Sequence, residues 1–432
     1  MAEIIPFVCW RPAAELASQV AAAPYDTLSR QEATLETAVH PLSFLRIDKP
    51  AALFSAEVDE YDEQVYEAAG LELDSWYQQG VLIPDTVPAE PAYFIYRLTQ
   101  AEHQQTGLIA AASVADYKNG VIKRHENTQA KKEADRVKHI KALAAHTGPV
   151  LLTYPSVRQI DDLLKEITSQ DPLPPDAQGQ SSARPPATLL YDFHAADGVR
   201  HEFWRLDSKD ITQRIQALFA EVPTLYIADG HHRAAAAAEV ASWYAENQME
   251  GLAGAQHFLV AVFGSQELQV LDYNRLVADL AGQSPEEILT ALDDVVTVEA
   301  SGAVPYRPAH KGEIAMYLAG VWYRLSLNES QRPQDAVESL DVALLHKLIL
   351  APILKIVDPR SDPRISYVGG ARGLTFLAEQ VDKTGGVAFA LYPCSLEELF
   401  AVANEDRLMP PKSTWFEPKP KSGLAIHRFR TI

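Results

Sequence analysis

Cysteine is almost missing from this sequence: Cys9 and Cys394 stand alone among 432 residues. Two thiols so far apart make neither a zinc spacing nor a disulfide framework, which points to a reducing, cytoplasmic compartment. No apolar run approaches the roughly 20 residues that cross a bilayer, so no membrane partner is expected. Met1-Ala2-Glu3 opens without a basic stretch and apolar run, so no secretory signal is read there. Positive charge is scarce: 38 Lys and Arg against 58 Asp and Glu give a formal net charge of −20. Duplex nucleic acid is held by neutralising several phosphates, so this balance argues against a nucleic-acid partner. Familiar site signatures are also missing. There is no G-x-x-x-x-G-K-[ST] phosphate loop, no G-x-G-x-x-G after a strand and no H-E-x-x-H zinc helix.

What is present is globular composition, with 47% hydrophobic and 22% charged residues. A chain of this length exceeds one ordinary core, so two domains are expected, 1–252 and 253–432, divided near Gly251–Gly254. Ala92–Leu98 and Gly107–Val114 read as strands joined across a polar loop. Leu318–Val321 reads as a tight turn between Glu313–Leu318 and Val321–Leu327, and Gly264-Ser265 as another between Phe258–Phe263 and Leu268–Tyr273. Hairpins mean antiparallel pairing, so the fold class is α+β rather than a doubly wound parallel sheet. Ile160, Leu163, Leu164 and Ile167 follow helical spacing with Ser156 as cap, and Leu340, Leu344, Leu345 and Leu348 repeat it before Pro352. The Pro-, Ser- and Gln-rich stretch from Gln170 to Pro186 reads as an exposed loop.

The strongest local signal is Thr224-Leu225-Tyr226-Ile227-Ala228 followed by Asp229-Gly230-His231-His232-Arg233 and five alanines. An apolar strand, a polar turn and a strong helix former succeed one another. Such a turn points backbone N–H groups and the positive end of the helix dipole outward, which suits an anion. Gly230 lets a ligand approach the backbone, and Arg233 with the histidines adds donors to phosphate oxygens. The bland alternative is a helix that Asp229 merely caps, with surface histidines. Adjacent His231 and His232 diverge, so no protein-held metal is expected. A Mg²⁺ ion carried mainly by substrate phosphates, with Asp229 or Glu126, stays open.

A second cluster is Lys123-Arg124-His125-Glu126-Asn127-Thr128, followed by Lys131, Lys132, Arg136, Lys138 and Lys141. Glu126 suits a general base for a hydroxyl or a water, while Lys123 and Arg124 suit phosphate charge. The later lysines read more simply as a solvated helix face with ion pairs to Glu133 and Asp135. Ala23-Pro24-Tyr25-Asp26 reads first as a turn, and Leu271–Arg275 as a polar strand end. Arg364–Gly373 reads as a strand, a double-glycine turn and a helix start; it could hold an anion by the same physics, but a lone Gly-Gly is a common turn. In Pro410–Lys419, Trp415 and Phe416 either wall a site or plug the core.

Taken together, Ala23–Asp26, Lys123–Thr128 with Lys131-Lys132-Glu133, Ala228–Arg233, Leu271–Arg275, Val368-Gly369-Gly370 and Pro410–Lys419 resemble the bacterial and archaeal family catalogued as domain of unknown function 1015. That family is linked to the ParB/sulfiredoxin-like superfamily, which includes CTP-hydrolysing partition proteins, sulfiredoxin and free-serine kinases. The resemblance implies a ParB/sulfiredoxin-like mixed-sheet N-terminal part with an additional α+β C-terminal domain. Carried over, the phosphate-binding turn falls on Asp229, Gly230, His231, His232 and Arg233, and the hydroxyl-activating Glu on Glu126. The chain departs from the superfamily in its length, with roughly the last 180 residues lacking a counterpart, and shows no helix-turn-helix.

The resemblance thus implies a nucleotide-dependent kinase for a small hydroxyl compound, free serine being the most specific expectation, with ADP or ATP and Mg²⁺ as cofactors. Asp229, His231 and Glu126 are the expected catalytic residues; Lys123, Arg124, Gly230, His232 and Arg233 are expected to bind the nucleotide. A phosphohydrolase of a compound such as phosphoserine, and a nucleotide-binding protein without chemistry, are the alternatives. Oligomeric state is left open.

Overall fold

The computed structural model describes residues 2–169, 186–249, 251–327 and 332–429. The loop expected over Gln170–Pro186 lies, apart from Pro186, outside the described residues. Two compact units emerge, each an α+β arrangement. The first comprises Met1–Lys123, Thr128–Leu268 and Pro418–Ile432; the second comprises Arg124–Asn127 and Gln269–Glu417. Among the described residues no helix is long and apolar enough to cross a membrane.

The first unit is built on a nine-stranded mixed sheet. Its strands are β1 (Ile4–Ile5), β2 (Phe94–Gln100), β3 (His103–Ser113), β4 (Ile122–Lys123), β5 (Val150–Tyr154), β6 (Ala187–His194), β7 (Arg200–Leu206), β8 (Leu225–Asp229) and β9 (His257–Gly264). Their spatial order is β4-β8-β5-β9-β3-β2-β7-β6, with β1 paired antiparallel to β3. β2 and β3 form the expected hairpin, in register from Phe94 opposite Ile109 to Gln100 opposite His103. Two contacts are parallel, β4 with β8 and β5 with β9, which makes the sheet mixed.

β3 is buried along its length from Gln105 to Ser113, and its small residues let neighbouring elements approach. Gly107 is the tightest point: a Cβ there would lie 2.5 Å from both the Phe263 ring and the Val262 carbonyl oxygen. β9 is central, hydrogen-bonded to β3 on one side and β5 on the other. The hairpin expected at Gly264-Ser265 therefore does not form. Both edges of β9 are already taken, and Ser265–Glu267 is a short 3-10 turn instead.

Helices of this unit include α1 (Glu63–Gln78), α2 (Ala130–Leu143), α3 (Arg158–Ser169), α4 (Lys209–Ala220) and α5 (His231–Glu246). Ile160, Leu163, Leu164 and Ile167 are the buried face of α3, as their spacing predicts. Ser156 lies just before that helix and accepts a hydrogen bond from the Gln266 N–H at 3.0 Å. Ile215 and Phe219 of α4 join α3 and Ala234, Ala237, Ala238 and Ala241 of α5 in one core with the strands. The opposite side of α5 packs Ala236, Val240 and Tyr244 against Val137 and Ile140 of α2 and Phe429. Alanine on both sides explains how α5 is buried between layers although it has no broad apolar stripe.

The second unit holds a six-stranded antiparallel sheet. β10 (Tyr273–Val277), β11 (Thr297–Gly302), β12 (Glu313–Leu318), β13 (Val321–Ser326), β14 (Ile365–Gly369) and β15 (Val387–Leu391) take the order β11-β13-β12-β15-β10-β14. The tight turn at Ala319-Gly320 joins β12 to β13 as expected, with both residues at positive φ. Leu340, Leu344 and Leu345 are buried at the start of the expected helix, which opens into a π turn over His346–Leu350 before Pro352.

Candidate phosphate-binding turn

β8 delivers Asp229 to the edge of the first unit's core, and α5 starts two residues later. Gly230 makes the corner with φ 94° and ψ 30°, a left-handed conformation that glycine adopts without a Cβ penalty. The first intrahelical hydrogen bond runs from the Ala234 N–H to the Gly230 carbonyl at 3.0 Å, so the amides of residues 231–233 lie ahead of it. These amides and the dipole of a 16-residue helix give the turn a positive end.

The side chains add to this. Arg233 folds back under the corner, and a Cβ on Gly230 would sit 3.1 Å from its Nε. Its Nη2 donates to Asp229 Oδ2 at 3.2 Å, and its Nη1 donates to the Pro149 carbonyl. Arg233 Nε is buried and makes no hydrogen bond. Lys419, arriving from the C-terminal segment of the same unit, donates to Asp229 Oδ1 at 3.2 Å. Burial opposes ionisation of Asp229, but Lys419, Arg233 and then His231 outweigh it and hold the carboxyl well below the usual range. One carboxylate between two cations leaves the turn with surplus positive charge.

His231 is buried at the first helical position. His232 Nε2 accepts the Gln129 N–H at 3.0 Å, a bond that fixes that nitrogen as an acceptor and holds the start of α2. Lys123 ends β4, opposite Tyr226 of β8. Thr128 donates to Glu133 Oε2 at 2.6 Å. The expected residues Asp229, Gly230, His231, His232 and Arg233 thus share one turn, with Lys123 on the neighbouring edge strand.

Arg124 and Glu126 fall in the Arg124–Asn127 segment of the second unit. Between them His125 is buried, with its carbonyl accepting the Met409 N–H at 2.8 Å and its Nε2 3.3 Å from Thr414 Oγ1. The same unit buries Asp272, Asn274 and Arg275 at the strand end expected to be polar. Asp272 accepts from Asn274 at 2.5 Å and from Arg307 at 2.9 Å. Arg275 lies 5.0 Å from the Tyr367 ring, and burial pulls it down to about 10. The double glycine of Val368-Gly369-Gly370 is a packing device. A Cβ on Gly369 would meet the Trp415 indole at 2.7 Å, and one on Gly370 would meet Asp272 Oδ1 at 2.3 Å. Trp415 thus packs on the glycine, and Phe416 is buried beside it in sequence.

A family model described as a protein of unknown function, DUF1015, matches residues 4–343. The chain belongs to this family. No curated protein matches the sequence. Among solved structures, a free serine kinase variant in complex with AMP is similar at 11% identity and a TM-score of 0.33, over 73% of this chain and 90% of that one. A variant of the same kinase in complex with ADP is similar at 12% identity, a TM-score of 0.33 and the same coverage. SbnI with a C-terminal truncation, from Staphylococcus aureus, is similar at 11% identity and a TM-score of 0.35, over 73% of this chain and 87% of that one. Likenesses this distant carry no argument about the site.

In this DUF1015 protein the residue that sequence reasoning left out of the turn is Lys419. Its signal was the Pro418-Lys419-Pro420-Lys421 repeat, whose second lysine reaches Asp197 instead. The basic helix α2 keeps Lys131 and Lys138 exposed, as a solvated face would, but gives them partners outside the helix. Lys131 lies 4.1 Å from the Tyr61 ring, and Lys138 lies 3.5 Å from Glu63. Asp135 takes Tyr66 and Arg136, each at 2.8 Å, and so docks α2 on α1.

Proposed function

We propose that the β8–α5 turn binds the phosphates of a nucleotide, ADP or ATP, and that the protein transfers a phosphoryl group to a small hydroxyl compound, free serine being the most specific candidate. The observation that carries the reading is the half-buried Arg233 guanidinium directly beneath a left-handed Gly230, with its buried Nε–H lacking a partner at the positive end of a helix. A phosphate oxygen at the corner would meet the leading amides of α5, and Arg233 and Lys419 would balance its charge. Asp229 then positions the two cations. Both of its oxygens already accept from them, which disfavours a divalent ion on this carboxylate. A Mg²⁺ accompanying the nucleotide would be carried mainly by phosphate oxygens.

In the reaction, the acceptor oxygen forms a bond to phosphorus as the bond to the departing nucleotide oxygen breaks. Glu126 takes the hydroxyl proton, while Lys123, Arg124 and Arg233 stabilise the charge on the transferring group. The test is a thermal-shift series with ADP and ATP, with and without Mg²⁺, followed by a serine phosphorylation assay. The expected result is a nucleotide shift lost in Arg233→Ala, and turnover lost in Glu126→Gln with nucleotide binding kept. Phosphate release without an acceptor would favour the phosphohydrolase, and binding without turnover of any donor would favour the non-catalytic reading. No shift with any phosphate-bearing ligand would remove the turn from consideration.

A further inference from the structure

A cavity of about 230 Å³ opens in the first unit where the Ala23–Asp26 turn meets α2. That is several times the ~30 Å³ a water occupies. Tyr25, Tyr61 and Tyr66 form aromatic walls, while Lys49, Lys132 and Arg136 supply cations. Arg136 is buried and lies 3.9 Å from the Tyr25 ring. Its charge is met by Asp135 at 2.8 Å. Lys49 donates to the Tyr25 and Leu28 carbonyls at 2.9 and 2.7 Å, which holds the ammonium in place and leaves a further N–H. Lys132 is half-buried and, among the described residues, has neither an ion-pair nor a hydrogen-bond partner. Of the three carboxylates that line the cavity, Asp135 is taken up by Arg136 and Tyr66, while Asp26 and Glu60 are exposed and form its rim. Asp26 likewise has no ion-pair or side-chain hydrogen-bond partner among the described residues.

Apart from the Arg136–Asp135 pair, opposite charges thus line one cavity without pairing with each other, with Lys49 and Lys132 deeper and Asp26 and Glu60 outside. A purely anionic ligand would face the rim carboxylates, and a purely cationic one would face Lys49 and Lys132. A neutral one would leave both sets unused. We propose that this cavity binds a small zwitterion, with its carboxylate or phosphate toward Lys49 and Lys132 and its ammonium toward Asp26 and Glu60. That is the chemistry of a free amino acid or of its phosphate ester. The assignment of this ligand as the phosphoryl acceptor or its product rests on the phosphotransfer reading; the binding itself does not.

The experiment is calorimetric titration of the full chain with the common free amino acids and O-phosphoserine, alongside ethanolamine and glycolate, which carry one charge each. At least one zwitterion should bind, and the single-charge analogues should not. Lys132→Gln and Asp26→Asn should each weaken that zwitterion about tenfold, the loss of one charge-assisted hydrogen bond. Both sit at the surface of the cavity, and an unchanged ADP thermal shift in each variant would show that fold and turn are intact. Absence of any zwitterion binding overturns the inference, as does equal binding of ethanolamine or glycolate, or binding unmoved by both substitutions. Zwitterion binding without any nucleotide shift would sink the kinase reading and leave the cavity assignment standing.

Discussion

Replacing Lys419 by Met removes one of the two cations that neutralise Asp229, and the cost can be bounded from the geometry. A fully buried ion pair loses about 3–5 kcal/mol when one partner is removed, and an exposed pair loses about 0–1 kcal/mol. The Lys419 side chain is 12% exposed and that of Asp229 is 29%, which places the pair between those limits. Arg233 stays on the other carboxylate oxygen at 3.2 Å, so the charge is not orphaned. The expected loss is therefore about 1.5–2 kcal/mol near neutral pH, or roughly 3–6 °C in melting temperature. The pH dependence makes the argument specific. The Asp229 carboxyl is held below its ordinary value of 3.8, so its stabilising effect is fully present above that value and fades as pH falls through the folded one. The deficit of Lys419→Met should be constant from about pH 7 to pH 5 and shrink below about pH 4. Urea denaturation of both proteins across that range reads it directly. In a double-mutant cycle, Asp229→Asn should reduce the effect of Lys419→Met by about 1 kcal/mol. A loss below about 0.5 kcal/mol, or one that persists unchanged into acid, would refute the ion-pair reasoning.

Gly230→Ala puts a Cβ into the left-handed corner and 3.1 Å from Arg233; it should cost about 1–2 kcal/mol and lower the nucleotide thermal shift, while an unchanged shift would show that the corner is not used. Gly107→Ala drives a methyl against the immobile Val262 carbonyl and should lower urea stability by about 2–3 kcal/mol; wild-type stability would mean that the strand can give way there. Burial lowers His139 and His427 to about 4 and His201 to about 3, from an ordinary 6.5. Their stabilising effect is complete above pH 6.5 and is lost as pH falls, at up to about 1.4 kcal/mol per pH unit for each. Acid titration of the urea midpoint should show that slope, and His201→Gln should make it shallower; an identical slope in the variant would exclude His201 from the acid response.

The acidic balance, the strand-to-helix turn at Asp229–Arg233 and the hairpin of β2 and β3 were written in the sequence, because each is a local pattern. A run of apolar residues, a polar corner and five alanines state their conformations through neighbours no more than four positions away. Likewise α3 announced its buried face through the spacing of Ile160, Leu163, Leu164 and Ile167. The tertiary structure decided what those elements meet. Lys419 finds Asp229 across 190 residues, and no spacing rule reaches that far. Gly264-Ser265 looked like a hairpin, yet β9 sits in mid-sheet with both edges filled, and strand partners are chosen by burial across the whole chain. Gly369-Gly370 left an anion site and an ordinary turn both open in the sequence, and the structure shows clearance there for Trp415 and Asp272. Tyr25, Asp26 and Lys132 stood in segments the sequence singled out, but the cavity they share with Lys49 did not show there, because only packing brings those segments together.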